Sequence, residues 1–350
     1  MPYIVKYSLK RIGLLLVTTF IILTLTFFLV KLLPGAAMMG NAEAQNAFCR
    51  DQVNMGYYLV FNSEQANLGT AKLIYTDPTS KVWYYYEKPL VQQYGAWVKG
   101  IVTEWNWGTS SAITPSASAM YIITTRLGPS IKINIWSLLI SVPLGFAFGI
   151  WAALKKNKLT DSIISTVVMV MISVPSFVTI LLLMLLFCFK LGWFPSRWPT
   201  GDSVTAAQTV AGYVIPVAAL SFGSIASFTR YTRAELCEVM SSEFLLLART
   251  KGLSKNQCII RHALRNSLVP IVPMIIGQFI GILSGSMVLE QLYGIPGIGT
   301  LFVSCINKRD YNVLLVDMAV YTVIGLFANL LVDLSYGIVD PRIRMGAKAA

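Results

Sequence analysis

Residues 133–189, INIWSLLISVPLGFAFGIWAALKKNKLTDSIISTVVMVMISVPSFVTILLLMLLFCF, decide the fold class. Two apolar runs, Ile133–Leu154 and Ile163–Phe189, flank the short basic stretch LKKNKL. A bilayer core about 30 Å thick takes roughly 20 apolar residues of α-helix to cross. Both runs are long enough, and the lysines between them mark a turn at the membrane surface. Working outward, four more runs qualify: Ile12–Val30, Ala206–Phe228, Leu268–Leu289 and Val313–Ile338. The sequence therefore predicts an all-α membrane protein with six transmembrane helices. The first run follows a basic start, as a secretory leader does. It is longer than a leader's apolar region, and LPGAAMMG is a poor cleavage site, so an uncleaved span is expected.

Composition agrees. Of the 350 residues, 55% are hydrophobic and 13% charged, where a soluble domain carries about a quarter charged. The net charge of +12 raises nucleic acid as a partner, but the positions of the basic residues point elsewhere. Lys6, Lys10 and Arg11, then Lys155, Lys156 and Lys158, then Arg230, Arg233, Arg249, Lys251, Lys255, Arg261 and Arg265, and finally Arg342, Arg344 and Lys348 fall in alternate hydrophilic segments. That is the pattern of the positive-inside rule. It puts both termini and the 229–266 segment in the cytoplasm, the 36–128 segment outside, and no nucleic acid on the partner side. The cysteines, at 49, 188, 237, 258 and 305, show no metal-ligand spacing and no CxxC. A Cys49–Cys305 disulfide stays open beside the simpler reading of unpaired thiols.

The outer segment is polar and turn-rich as far as Glu87, with YYLVF and KLIY as candidate strands. After Pro89, the residues Leu90, Tyr94, Trp97, Val98 and Ile101 recur at helical spacing, and WNWGTS breaks that helix. Its aromatic face suits packing within a small domain, or the headgroup layer, and equally a docking platform for an extracellular protein.

The cytoplasmic segment is the most informative. EFLLLARTK (243–251) favours a helix and ends at Gly252, a natural left-handed terminator. Ser254 and Gln257 form a capping box for a second helix, with Leu253 and Cys258 placed as its hydrophobic staple. A helix, a tight turn and a second helix joined to two spans can pass motion to them. An ordinary basic loop would explain the charges but not the ordered caps. The one histidine, His262, lacks evident partners for metal binding or acid–base catalysis, so a structural place at a helix end is expected.

At these residues the sequence resembles the permease subunits of binding-protein-dependent ABC importers, in the dipeptide/oligopeptide/nickel class. ARTKGLSKNQCIIRHALRNSLVPIV (248–272) is similar to that family's cytoplasmic signature. LLPG, WNWGTS, RLGPS, SVPSF, LYGIPGIGTLFVSCINKRDY and LVDLSYGIVDPRIR match it in order along the chain, except over about residues 36–87. At the wider motif's Glu-Ala-Ala this chain has Leu246, Leu247 and Ala248, so only the final alanine and Gly252 are kept, which is similar to the peptide class. The resemblance implies a type I importer fold with a mixed extracellular insertion between helices 1 and 2. It implies a first span over 1–35, an outer segment over 36–128, a five-helix permease core over 129–342 and a cytoplasmic tail over 343–350. It further implies alternating access driven by two separate ATP-binding cassette subunits that use ATP and magnesium, with no cofactor or metal bound by this chain. The other partners would be a second, similar but different permease, an extracellular solute-binding protein and the lipid of a bacterial plasma (inner) membrane. Ala248, Arg249, Lys251, Gly252, Leu253, Ser254, Arg261, His262 and Arg265 would couple the chain to the ATPase. Peptides are the implied solute, with nickel or metal chelates as the alternative.

Other classes fit less well. No G-x-x-x-x-G-K-[ST] occurs, so the chain is read as a transport subunit and not an enzyme. An ion-coupled carrier would place ionisable groups at mid-membrane, yet the first five runs are almost uncharged and only Asp317 and Asp333 fall within the sixth. Asp333 reads as a polar anchor. Asp317 is the candidate for the substrate path, or a partner for Lys308 or Arg309. A membrane enzyme would need more than a lone histidine, and a receptor without transport is disfavoured by the prolines at 143, 175 and 216 and by Gly223, Gly277, Gly281 and Gly285, which suggest kinked, close-packed helices.

Overall fold

The computed structural model describes residues 3–33, 41–201, 203–267 and 269–339, and the side chains among these except 3–8, 280–286 and 336–339. Pro34 and Gly35 of LLPG, the packing around Gly281 and Gly285, the Lys6 side chain and the tail with Arg342, Arg344 and Lys348 lie outside the described residues.

Four helices are each long and apolar enough to cross a membrane. They are Leu9–Leu32 within α1 (Tyr3–Leu32), α4 (Ala119–Leu154), α7 (Ala206–Met240) and Tyr311–Ser335 within the last helix, α12 (Tyr311–Val339). Three bent pairs also pass by composition: α5 (Leu159–Ser173) with α6 (Ser176–Lys190), α9 (Lys255–Ser267) with the start of α10 (Ile271–Tyr293), and the end of α10 with α11 (Ile298–Lys308). The described helices thus give four to seven spans by length and composition.

The helices depart from the apolar runs in instructive ways. Run Ile163–Phe189 is not one helix: α5 and α6 meet at 99°. Pro175 has no N–H to donate, and it pushes Val174 out of the helical region to φ −89°, ψ 117°. Pro143 and Pro216, by contrast, sit inside unbroken helices, as does Pro129. α4 begins at Ala119, well before Ile133, because polar turns such as Thr124–Arg126 carry the helix before its apolar part starts. α7 likewise runs past Phe228 to Met240.

The chain forms two compact units. One comprises residues 16–127 and 301–323. It holds a three-stranded antiparallel sheet of order β1-β3-β2, built from β1 (Tyr58–Phe61), β2 (Leu73–Thr76) and β3 (Val82–Glu87), with Leu59 opposite Tyr86 and Ile74 opposite Tyr84. Helices α2 (Ala42–Asn54) and α3 (Leu90–Glu104) flank the sheet in sequence. The aromatic face of α3 packs inward: the Trp97 ring stands 5.0 Å from Phe27 and 6.3 Å, edge-on, from Trp107. Asp310 pins the loop before α4, because its Oδ2 accepts from Ser110 Oγ at 2.6 Å and from the N–H groups of Ala112 and Ile113, both at 2.9 Å. Cys49 and Cys305 are both buried and both free thiols.

The other unit comprises residues 1–15, 128–300 and 324–350. Its core joins Ile133, Ile180, Ile215, Leu220, Leu289 and Tyr293. α4 and α7 touch along a stripe where Ser221 Oγ donates to Ser137 Oγ at 3.2 Å. Further along, a Cβ on Gly145 would strike Phe228, and one on Gly149 would strike Thr232. The order 137–221, 145–228, 149–232 makes the two helices parallel. The close-packing glycines are therefore Gly145 and Gly149, a GxxxG pair. Gly223 and Gly277 meet nothing within 4 Å.

Candidate functional site

Downstream of α7, Ser242 opens α8 (Glu243–Thr250), which carries Glu243 in its first turn and Arg249 in its last. Both charges oppose the helix dipole favourably. α8 closes in a Schellman turn. The Gly252 N–H donates to the Arg249 carbonyl at 2.9 Å and the Leu253 N–H to the Ala248 carbonyl at 3.3 Å. Gly252 sits at φ +87°, a left-handed conformation that costs an L-residue about 1–2 kcal/mol. Ser254 then caps α9: its Oγ accepts from the Gln257 N–H at 3.4 Å, while Gln257 Oε1 accepts from the Ser254 N–H at 3.0 Å. The turn and both caps match the sequence expectation. Within α9 the residues Ile259–Ala263 form π-turns.

The pair of helices is seated, not loose. Leu245, Ala248, Cys258 and Ala263 are buried in one cluster with Ala153 of α4 and with Leu236 and Cys237 of α7, and Leu253 packs on it. Ala248, one of the residues expected to couple the chain to the ATPase, is 8% exposed and faces this cluster. Its small side chain lets α8 sit against its own protein. Arg249, Lys251, Gly252, Ser254, Arg261 and Arg265 are exposed, while Leu253 and His262 are half-buried.

The sequence reading missed the apolar half of this surface. Phe244, Leu246, Leu247 and Ile260 are 44%, 63%, 56% and 67% exposed. The signal was present: successive helical residues point about 100° apart, so the four apolar side chains of FLLL cannot all face one core. Only Leu245 of that run is buried.

Two ion pairs tie helices of this unit together. Arg233 of α7 grips Asp161 in the first turn of α5 with Nε and Nη2, at 2.5 and 2.8 Å, and the Asn157 N–H adds a third bond at 3.0 Å. Asp161 is 4% exposed, so the loop with the three lysines is tied down to α7. Asp333 pairs with Arg11 at 3.0 Å, which supplies the anchor expected of it and joins the start of α1 to the end of α12.

Asp317 is fully buried, so it offers no open surface to a path in this conformation. Glu290, overlooked because it lies just past the fifth apolar run, is also fully buried. Its Oε1 accepts from Ser130 Oγ at 2.7 Å and its Oε2 from the Thr300 N–H at 3.1 Å. Ser130 Oγ in turn accepts from the Ile298 N–H at 3.0 Å. A Cβ at Gly297 would collide with this carboxylate, which explains the glycine in GIPGIGT. Among the described residues, no group of three His, Cys, Asp or Glu side chains could hold a metal ion.

These features define a multi-pass membrane protein with a pre-seated helix–turn–helix that carries an exposed apolar and basic face. Residues 145–345 match the family described as binding-protein-dependent transport system inner membrane component, and the chain belongs to it. It is 36% identical over 342 residues to the dipeptide transport system permease protein DppB of Lactococcus lactis, covering 97% of this chain and 100% of that one. DppB of Bacillus subtilis is 32% identical over 343 residues, with 98% and 99% covered. The oligopeptide transport system permease protein OppB of Escherichia coli K12 is 30% identical over 339 residues, with 97% and 99% covered.

Proposed function

We propose that this chain is the permease subunit of an ATP-driven, binding-protein-dependent importer of peptides, working by alternating access. The observation that carries the reading is the exposed set Phe244, Leu246, Leu247, Arg249, Lys251 and Ile260 on two helices whose opposite faces are buried against α4 and α7. An ATPase subunit bound there would move α4 and α7 with it. Gly252 and Ser254 set the angle of that lever, and Arg261, His262 and Arg265 flank it on α9. The peptide substrate follows from the names of the relatives that match along almost their whole length.

Six crossings, with both termini cytoplasmic, complete the proposal. The Arg11–Asp333 pair supports an even number, because it holds the first helix's start beside the last helix's end. The parallel course of α4 and α7 supports one return crossing between them. The 36–128 segment is then extracellular, where a solute-binding protein delivers peptide. The complex would include two ATP-binding cassette subunits, which consume ATP with magnesium, and a second, similar permease.

The test is uptake of a labelled peptide mixture into membrane vesicles containing this chain, its co-encoded subunits and the binding protein. Uptake should require ATP, the ATPase and the binding protein. Peptide uptake that persists without ATPase subunits would overturn the reading.

A further inference from the structure

Where α5 breaks from α6, the helix ladder is interrupted at the depth of a membrane-crossing run. The last carbonyls of α5 lose their helical partners there, and such backbone is tolerated in a bilayer only where protein or a water-filled cavity covers it. A cavity of about 230 Å³ lies at this break. Ser176 and Thr179 of α6, Gly223, Ser224 and Ser227 of α7, and Gln278 of α10 line it together with apolar side chains. Three separate elements therefore bring hydroxyl and amide groups to one hollow, and the lining holds no charged residue.

Its polar groups are arranged and not scattered. Gln278 Nε2 donates to Ser224 Oγ at 3.0 Å, and Ser224 Oγ donates on to the Leu220 carbonyl at 3.0 Å. This chain of bonds fixes the Gln278 amide, and among the described residues its carbonyl oxygen accepts no hydrogen bond. Ser224 is 2% exposed and Thr179 6%, so the hydroxyls are held by packing. Gly223, with nothing within 4 Å of a would-be Cβ, keeps the α7 wall open and does not serve helix packing.

We infer that this cavity is a station on the solute path that binds the peptide backbone through its amide groups. Neutral donors and acceptors match the N–H and C=O groups that every peptide carries, whatever its side chains. They also hold weakly enough for release, which a conducting site requires, whereas a buried charge would trap a zwitterion. This inference rests on the peptide-importer reading and adds to it the residues that touch the solute.

The test uses the full reconstituted importer with its binding protein in proteoliposomes and an alanine tripeptide bearing a diazirine side chain. After photolysis during ATP-driven uptake, cross-links on this chain should map to residues 171–179, 219–227 or 278. Gln278→Leu and Ser224→Ala should each lower uptake by about tenfold, as expected for one or two lost neutral hydrogen bonds, while the complex still co-purifies. Uptake with cross-links only elsewhere, or variants that transport at the normal rate, would overturn the cavity assignment alone. No ATP-dependent uptake of the tripeptide by the unaltered complex would overturn the importer reading, and this inference with it.

Discussion

A Cβ placed on Gly149 would stand 2.5 Å from the Cβ of Thr232 and 2.8 Å from the Thr229 carbonyl. α4 and α7 therefore meet backbone to backbone, and α8 and α9 rest on the ends of both. Gly149→Leu should force them apart at an overpacking cost of about 1–3 kcal/mol. Thermal unfolding of the purified protein in detergent should show a lower midpoint, and an unchanged midpoint would mean the two helices do not pack this way.

Arg233 is the tie between α7 and the lysine loop. Arg233→Ala leaves Asp161 buried without its partner, which costs about 3 kcal/mol or more in a fully buried pair. Because Arg233 is 32% exposed, solvent screening lowers the expected loss to about 1–2 kcal/mol. The double variant with Asp161→Asn should recover part of it. A double-mutant cycle with no coupling would contradict the geometry.

Gly252 acts through its backbone. Gly252→Val places a β-branched residue at φ +87° with open space around it, so strain in the turn is the whole effect. Membrane insertion should be retained, with ATP hydrolysis uncoupled from uptake. Normal uptake by this variant would remove the turn from the coupling account.

Burial pushes the Cys49 thiol up to about 12. Its neutral form is thus favoured in the fold, and the stability that burial confers is present below the ordinary thiol range and lost as pH rises through it toward 12. At about pH 8, where an exposed thiol is partly ionised, Cys49 should resist maleimide in the folded protein and react after denaturation. Rapid labelling of the folded form would contradict its placement in the core.

Much of this was legible in the sequence, for physical reasons that differ by element. The Ser254–Gln257 box and the Gly252 turn are local: both are decided within a few residues, and both formed as read. The apolar runs located the membrane helices, but their ends were invisible, because α4 and α7 continue through polar turns that hydropathy does not score. α2 was missed because its apolar residues Phe48, Cys49 and Val53 are outnumbered by polar ones and make no long run, and its start rests on one cap, where Asn41 Oδ1 accepts from the Ala44 N–H at 3.0 Å. Long-range relations could not be read at all. Glu290 with Ser130, Arg233 with Asp161 and Arg11 with Asp333 join residues far apart in the chain. The GxxxG pair at 145 and 149 was readable in principle, yet nothing local singled it out among the glycines.

The most direct test of the central claim is co-purification of the ATPase subunits with this chain and with Phe244→Ser/Leu247→Ser. Both positions are exposed, so the double variant should fold as the parent does. The account predicts that the parent retains the ATPase and the double variant loses it. Equal retention by both, or none by the parent, would contradict the assignment of this face as the coupling surface.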